Sequence, residues 1–169
     1  MKLINSLFTA IGMYSRIPVP RPKWKQEYMD YVMCFFPLVG ILNGLCLFLF
    51  WWAAETFQVN THFAAVICTV LPLWVSGGIH MDGYMDTADA LASYGSRERK
   101  LEILKDSHTG AFAVIRCVIY LLLSFGAFMS IHSMRGILCV CVGFVISRSL
   151  SGLSVAVFPK AKKEGSLVT

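Results

Sequence analysis

Four long apolar runs alternate with short polar segments along the chain. They cover residues 31–54, 62–79, 111–130 and 136–158. A helix needs about 20 residues to cross the roughly 30 Å hydrocarbon layer of a membrane, so the second run is marginal and the other three are long enough. The pattern predicts an all-α, polytopic integral membrane protein with about four transmembrane helices in a single membrane domain, residues 1–169.

A shorter apolar run precedes the first of these, at residues 3–14. It follows Lys2 as the apolar part of a signal peptide would, but it lacks a small-residue cleavage site, and Arg16 and Pro18 end it early. We therefore expect a short helix that lies at the membrane surface or partly within it.

Composition agrees with a membrane protein. The chain is 56% hydrophobic and only 15% charged, with a mean hydropathy of +0.63, whereas a soluble domain has about 25% charged residues. All six cysteines fall in the apolar runs, without the spacing of a zinc site. They are predicted to be small packing residues.

The net charge of +5 has a topological explanation. Five basic residues precede the first run, four lie between the second and third, and three follow the fourth, whereas the other two loops contain Arg135 alone. This alternation is the positive-inside pattern, and it predicts a multi-pass protein of the cytoplasmic (inner) membrane with both termini and residues 80–110 in the cytoplasm. The charge does not indicate nucleic-acid binding.

Residues 80–110 are the one substantial polar segment, and they contain six of the ten acidic residues. The stretch DGYMDTADALASYG predicts a helix that begins near Asp82 or Gly83 and stops at Gly95. At about 100° per residue, Asp82, Asp86 and Asp89 share a face about 60° wide.

Three ionised carboxylates on one narrow face repel one another, so a cation is expected there. The alternative is a solvated acidic face that complements the helix dipole. Hard carboxylate oxygens favour Mg²⁺, with Mn²⁺ as a second candidate, and a partial carboxylate shell leaves positions for substrate phosphates. Asp82, Asp86 and Asp89 are therefore the candidate metal ligands and catalytic residues.

His80 immediately precedes this helix. If the helix extends back that far, His80 lies about 160° from Asp82. Three roles stay open for it: a metal ligand, a general base, or a hydrogen-bonded structural histidine.

Further candidates lie downstream. The stretch SRERKLEILKDSHTGAF predicts a second short helix, with Ser96 as its N-cap and Gly110 at its end. Lys105 is a candidate phosphate contact and Asp106 a candidate further carboxylate of the substrate site. Arg148 lies about 15 Å inside the fourth apolar run. Because an arginine at that depth is costly, it should face the interior of the bundle or an aqueous cavity, where it is a candidate substrate-binding residue.

These residues carry a family resemblance. The stretch GGIHMDGYMDTADALAS resembles the G-x-H-x-D-G-x-x-D-T-A-D-G signature of the cobalamin synthase family, the adenosylcobinamide-GDP ribazoletransferases. Three weaker matches follow the family's order: FTAIGMYSRIPVP resembles its amino-terminal segment, EILKDSHTGAFAV its K-D-S-x-x-G-x-x-G region, and ISRSLSGLSVAVFPKAKKEG its later A-R segment. The chain departs from the pattern at Ala90, where the family has glycine, and after Gly110, where the last glycine is absent.

The resemblance implies a membrane-embedded, Mg²⁺-dependent transferase of cobalamin (vitamin B12) biosynthesis. Its substrates would be adenosylcobinamide-GDP and α-ribazole or its 5′-phosphate, with GMP released. The family that it resembles is longer and continues through further membrane helices. We therefore expect a chain that ends at Thr169 to transfer ribazole poorly unless it forms a homo-oligomer or is completed by another polypeptide of cobalamin assembly.

Three alternatives differ in class. A CDP-alcohol phosphotransferase-like lipid enzyme would also use an aspartate stripe and a divalent metal, but its spaced A-R, glycine and aspartate signature is not found. A cation transporter would need acidic residues inside the apolar runs. A truncated, non-catalytic membrane subunit is the third.

Overall fold

The computed structural model describes residues 1–20, 25–106 and 108–159, and every regular element in those ranges is a helix. The elements are α1 (Lys2–Tyr14), α2 (Gln26–Met29), a 3₁₀ turn (Val32–Phe35), α3 (Phe36–Thr56), α4 (Thr61–Val75), α5 (Ile79–Ala92), α6 (Arg97–Ile103), α7 (Ala111–Met129) and α8 (Met134–Val157). The predicted all-helical membrane fold is confirmed.

Three of these helical stretches are long and apolar enough to cross a membrane: Gln26–Thr56, Ala111–Met129 and Met134–Val157. The marginal second run behaves differently. Its helix, α4, is only 15 residues long, which at 1.5 Å per residue is about 22 Å. It is followed by α5 after a 91° bend, so the pair forms either one broken span or a re-entrant segment. The count of three or four spans agrees with the prediction of about four.

Two glycines make this bend. Gly77 and Gly78 have φ values of +67° and +80°, a conformation that glycine adopts without the steric cost of a side chain. The Gly78 N–H donates to the Leu73 carbonyl at 2.9 Å, which closes the end of α4. The chain therefore changes direction immediately before the acidic helix.

The chain divides into two compact units. One contains Met1–Ala53 together with the segment from Ser133, and the other contains Ala54–His132. In the first unit, α1 packs against α2 and the 3₁₀ turn, which also contacts α8. The buried side of α1 is small and polar, with Ser6 and Thr9 donating to carbonyls of their own helix, whereas its residues Leu3 and Ile4 are exposed. An outward apolar face is what a membrane-surface helix requires.

In the first unit, α3 and α8 approach each other closely at two glycines of α3, spaced four residues apart. A Cβ atom on Gly40 would lie 2.7 Å from the Phe144 carbonyl oxygen, and one on Gly44 would lie 3.1 Å from the Cβ atom of Cys141. The Cys141 thiol donates to the Gly44 carbonyl at 3.1 Å. Small residues at this spacing let two membrane helices approach until their backbones touch.

In the second unit, α7 packs against both α4 and α5, and α6 packs against α5. The Tyr84 and Tyr120 rings, 6.2 Å apart, contribute to the contact between α5 and α7. The lipid-facing character of α7 is evident from Leu122 and Leu123, which are 64% and 70% exposed. The acidic helix is thus attached to a membrane-crossing helix.

Three predicted helix boundaries were wrong. The acidic helix begins at Ile79 and ends at Ala92, earlier at both ends than predicted, because the bend at Gly77 and Gly78 already supplies the break that starts it. The next helix begins after its predicted cap, Ser96, but ends at Ile103 and not at Gly110. Gly110 instead serves as the N-cap of α7.

The close approach of α3 and α8 predicts a steric effect on stability. Gly40→Ala should destabilise the protein by about 1–3 kcal/mol, because the added methyl group collides with backbone atoms that cannot rotate away. Gly143→Ala on α8 is the matched control, since a Cβ atom there meets nothing within 4 Å. Thermal unfolding in detergent measures both, and equal midpoints for the two variants would contradict the predicted packing.

Candidate metal and phosphate site on the acidic helix

The three aspartates of α5 do not share one environment. Asp82 and Asp86 are exposed, one helical turn apart, whereas Asp89 is half-buried. The side chains of Asp82 and Asp86 form no hydrogen bond or ion pair with the described part of the chain. Their carboxylates are therefore open to ligands from solution.

Asp89 binds the start of α7. One of its oxygens accepts the Gly110 N–H at 2.5 Å, and the other accepts the Ala113 N–H at 2.8 Å. The first N–H groups of a helix have no partner within the helix, and they carry its positive dipole end, so a carboxylate is a favourable acceptor there. Asp89 thus joins α5 to a segment more than 20 residues further along the chain.

No group of three His, Cys, Asp or Glu side chains in residues 1–20, 25–106 and 108–159 is arranged to hold a metal ion. The assignment of Asp82, Asp86 and Asp89 as metal ligands therefore stays a prediction. Two exposed carboxylates one turn apart remain, which is the number with which Mg²⁺ often binds when substrate phosphates and water complete its shell.

His80 is on α5, because the helix begins at Ile79. Because the helix includes His80, this residue lies about 160° around the helix from Asp82. Its side chain is half-buried. His80 is thus turned away from the two exposed carboxylates, and its role as ligand or base stays a prediction.

The segment after α6 is held by local hydrogen bonds. The Asp106 carboxylate accepts the His108 backbone N–H at 3.0 Å and pairs with the His108 Nδ1 atom at 2.6 Å. These hydrogen bonds, the backbone one first, lower the pKa of the Asp106 carboxyl below its ordinary value. Asp106 therefore stays ionised at neutral pH, and Lys105 beside it is exposed.

Basic side chains of α6 are partly committed to contacts within the helix. The Arg99 guanidinium pairs with the Glu102 carboxylate at 2.9 Å, and its side chain covers Gly95, where a Cβ atom would lie 2.8 Å from it. The Ser96 hydroxyl accepts the Arg99 N–H at 3.4 Å, so the predicted N-cap is confirmed. Lys105, the predicted phosphate contact, lies outside this helix and is exposed.

Arg148 belongs to the other compact unit. Its guanidinium lies 5.9 Å from the centre of the Phe36 ring, and its Nη1 atom donates to the Ser147 hydroxyl at 3.4 Å. Its side chain is half-buried. A cation held against an aromatic face within a membrane helix is partly compensated for the loss of water. A substrate-binding role for Arg148 stays a prediction.

Sequence reasoning passed over two residues of this region. His108 lies two residues after Asp106. At this spacing an aspartate side chain commonly accepts a backbone N–H and so closes a turn. Gly110 was interpreted as a helix end, whereas it begins α7 and lies against Asp89. The first could have been found from its Asp-x-His spacing, and the second could not, because its partner lies on another helix.

The fold and the acidic helix together define a class, the polytopic helical membrane proteins with an exposed pair of carboxylates beside a basic helix. Comparison with known protein families identifies the family within that class. A family model described as cobalamin-5-phosphate synthase (CobS) matches residues 6–168. The chain belongs to this family, and the suggested resemblance is confirmed.

Curated relatives have names that agree with the family. A protein of Lachnoclostridium phytofermentans named adenosylcobinamide-GDP ribazoletransferase is 46% identical over 169 residues, which is 100% of this chain and 64% of the relative. Proteins with the same name from Clostridium botulinum (strain Eklund 17B / Type B) and Brevibacillus brevis are 33% and 36% identical over 78% and 73% of this chain. The last two matches cover 51% and 50% of the relatives. The chain thus spans between half and two thirds of the length of these three relatives. No solved structure matches.

The lowered pKa of Asp106 predicts how its contact responds to acid. A group whose pKa is depressed in the folded state contributes stability above its unfolded pKa, about 3.9 for aspartate, and loses it as the pH falls through the folded value. The Asp106–His108 contact should therefore persist at pH 5 and be lost only below the ordinary aspartate pKa of about 3.9. The NMR signal of the His108 backbone amide measures it. A change centred at or above pH 5 would contradict the prediction.

Proposed function

We propose that the chain provides the acidic-helix part of an adenosylcobinamide-GDP ribazoletransferase. The observation that carries the proposal is the match of the whole chain, at 46% identity, to a protein of that name. The reaction transfers adenosylcobinamide phosphate from adenosylcobinamide-GDP to α-ribazole or its 5′-phosphate. A hydroxyl oxygen of the ribazole forms a new bond to the cobinamide-linked phosphorus, the bond to the GMP oxygen breaks, and GMP leaves.

The exposed carboxylates of α5 fit a divalent cation in this reaction. Asp82 and Asp86 have no competing hydrogen bond or ion pair within the described ranges, and hard oxygen donors suit Mg²⁺, with Mn²⁺ as a substitute. Asp82 and Asp86 would hold the ion, and the diphosphate of the substrate would complete its shell. When bound, the ion would neutralise the diphosphate and stabilise charge on the leaving oxygen.

The chain's own residues would orient the reacting groups. Lys105 is exposed next to the turn that Asp106 forms with His108, and its ammonium group can contact a diphosphate oxygen as a point charge. The hydrogen bonds of Asp106 order that turn immediately after Lys105. Removal of the ribazole proton requires a base, for which His80 and the aspartates of α5 are the candidates from the sequence.

The location of this site is a further part of the proposal. The alternation of basic residues supports a cytoplasmic-membrane protein with residues 80–110 and both termini in the cytoplasm. Such a location gives the acidic helix access to cytoplasmic nucleotide substrates. Because α5 follows α4 at an angle of 91°, the acidic helix does not continue the direction of the preceding helix.

Cysteine labelling tests this orientation. Tyr94 is fully exposed between α5 and α6, and His132 is exposed between α7 and α8. In a chain whose six native cysteines are replaced by alanine, a membrane-impermeant maleimide added to intact cells should label His132→Cys but not Tyr94→Cys. Permeabilised cells should allow both to be labelled. Labelling of Tyr94→Cys in intact cells would overturn the orientation.

Loss of one exposed carboxylate tests the metal assignment. In a preparation competent for catalysis, Asp86→Asn should raise the Mn²⁺ concentration for half-saturation and lower GMP release by on the order of 100-fold, since even residues that only support metal ligands change affinity or activity by about 10–100-fold. The unfolding midpoint should change little, because the Asp86 side chain is exposed and forms no hydrogen bond or ion pair with residues 1–20, 25–106 and 108–159. Electron paramagnetic resonance of Mn²⁺ gives the binding curve.

Glu98→Gln is the matched control. Glu98 is an exposed acidic residue of α6, and hydrogen bonds from its own backbone and from Ser96 lower its pKa. Its loss should leave Mn²⁺ binding unchanged. The full-length relative from Lachnoclostridium phytofermentans serves as the positive control for GMP release. Equal effects of Asp86→Asn and Glu98→Gln on Mn²⁺ binding would reduce the site to general surface charge.

A further inference from the structure

Asp89 differs from the other two aspartates of α5 in what it touches. Both of its oxygens accept backbone N–H groups of α7, from Gly110 and from Ala113. Hydrogen bonds to an ionised acceptor are stronger than those between neutral groups. The side chain is also half-buried, and the two N–H groups at the positive end of α7 compensate its charge.

The partner of Asp89 is shaped to receive it. Gly110 is the N-cap of α7 and has no side chain with which to cap that helix. A Cβ atom at this position would lie 2.5 to 2.7 Å from the carboxylate atoms of Asp89, closer than any stable contact. The aspartate of α5 therefore replaces the cap that a serine or aspartate would ordinarily supply from within the chain segment, and the missing side chain makes room for it.

The contact fixes more than the start of α7. Lys105 and Asp106 lie only a few residues before Gly110, and the Asp106–His108 turn shortens the connection further. Holding Gly110 against α5 therefore limits the positions that the Lys105 side chain can take relative to Asp82 and Asp86. Reacting groups gain rate when they are held in place before the substrate binds.

We propose that Asp89 is a positioning residue that clamps the start of α7, and with it the Lys105–Asp106 segment, onto the acidic helix, and that it is not a metal ligand. The metal site then consists of Asp82 and Asp86 with the substrate phosphates. The clamp itself is independent of the reaction, whereas its role in placing Lys105 rests on the proposed function.

Amide hydrogen exchange tests the clamp directly. In the purified full chain in detergent, the Gly110 and Ala113 amides should exchange slowly, and Asp89→Ala should speed both by about tenfold or more, because each loses a hydrogen bond to a charged acceptor. Asp89→Asn retains one acceptor oxygen and should release one amide more than the other. Unchanged exchange at both amides in Asp89→Ala would overturn the clamp.

A double-mutant cycle tests whether the two residues are matched. Gly110→Ala should lower the unfolding midpoint, because its methyl group collides with the Asp89 carboxylate. In an Asp89→Ala background the same substitution should have a much smaller effect, since the collision is gone. Gly126→Ala on the same helix is the control, because a Cβ atom there meets nothing within 4 Å. Additive effects of Asp89→Ala and Gly110→Ala would contradict the proposed contact.

Metal binding separates a clamp from a ligand. Asp82→Asn and Asp86→Asn should raise the Mn²⁺ half-saturation concentration, whereas Asp89→Asn should leave it within about twofold of the unmodified chain, a change worth only a few tenths of a kcal/mol. An equal rise for all three variants would show that Asp89 is a ligand and overturn this part of the proposal. If Asp82→Asn and Asp86→Asn also leave Mn²⁺ binding unchanged while the exchange result holds, the proposed metal site fails and the clamp stands.

Discussion

The hydrogen bonds from Gly110 and Ala113 to Asp89 determine how the acidic helix is presented. The other end of that helix is set by backbone geometry, since the left-handed glycines at 77 and 78 turn the chain by 91° after α4. Contacts near both of its ends therefore hold α5 in place. Its exposed face carries Asp82 and Asp86, and its Tyr84 contacts Tyr120 of α7. An arrangement fixed before substrate binds is what charge stabilisation in phosphoryl-type transfer requires.

The surrounding hydrocarbon explains where the charges lie. The three stretches with the length and apolarity of a membrane span contain few charged residues, and the acidic residues are concentrated in α5, α6 and the segment after them. Without a hydrophobic force between helices in lipid, close packing depends on small residues, which α3 supplies at Gly40 and Gly44. The same solvent opposes carboxylates in the middle of the spans, and the acidic residues of Gln26–Thr56 lie near its ends, at Glu27, Asp30 and Glu55. Six of the other acidic residues lie together in residues 80–110, where we propose that Asp82 and Asp86 bind a cation.

The sequence predicts features that repeat within one helix, and it is weaker on contacts between helices. Hydropathy located the three long spans to within a few residues, because about 20 apolar residues are needed to cross the membrane. Periodicity placed Asp82, Asp86 and Asp89 on one stripe. It could not show that Asp89 faces α7, because its partners lie 21 and 24 residues away. The early start of α5 was missed for a related reason: a pair of glycines is compatible with a loop or with a sharp bend between two helices.

The contact of Asp89 also changes the electrostatic argument for a cation. Three ionised carboxylates on one stripe would repel strongly, but the N–H groups at the start of α7 compensate one of them. The remaining charge of Asp82 and Asp86 matches one divalent ion. A substrate diphosphate adds negative charge at the same place, so a third open carboxylate would oppose its binding. On electrostatic grounds, the two-carboxylate site that we propose is therefore better suited to hold a metal and a diphosphate together than the triple-aspartate site that the sequence predicts.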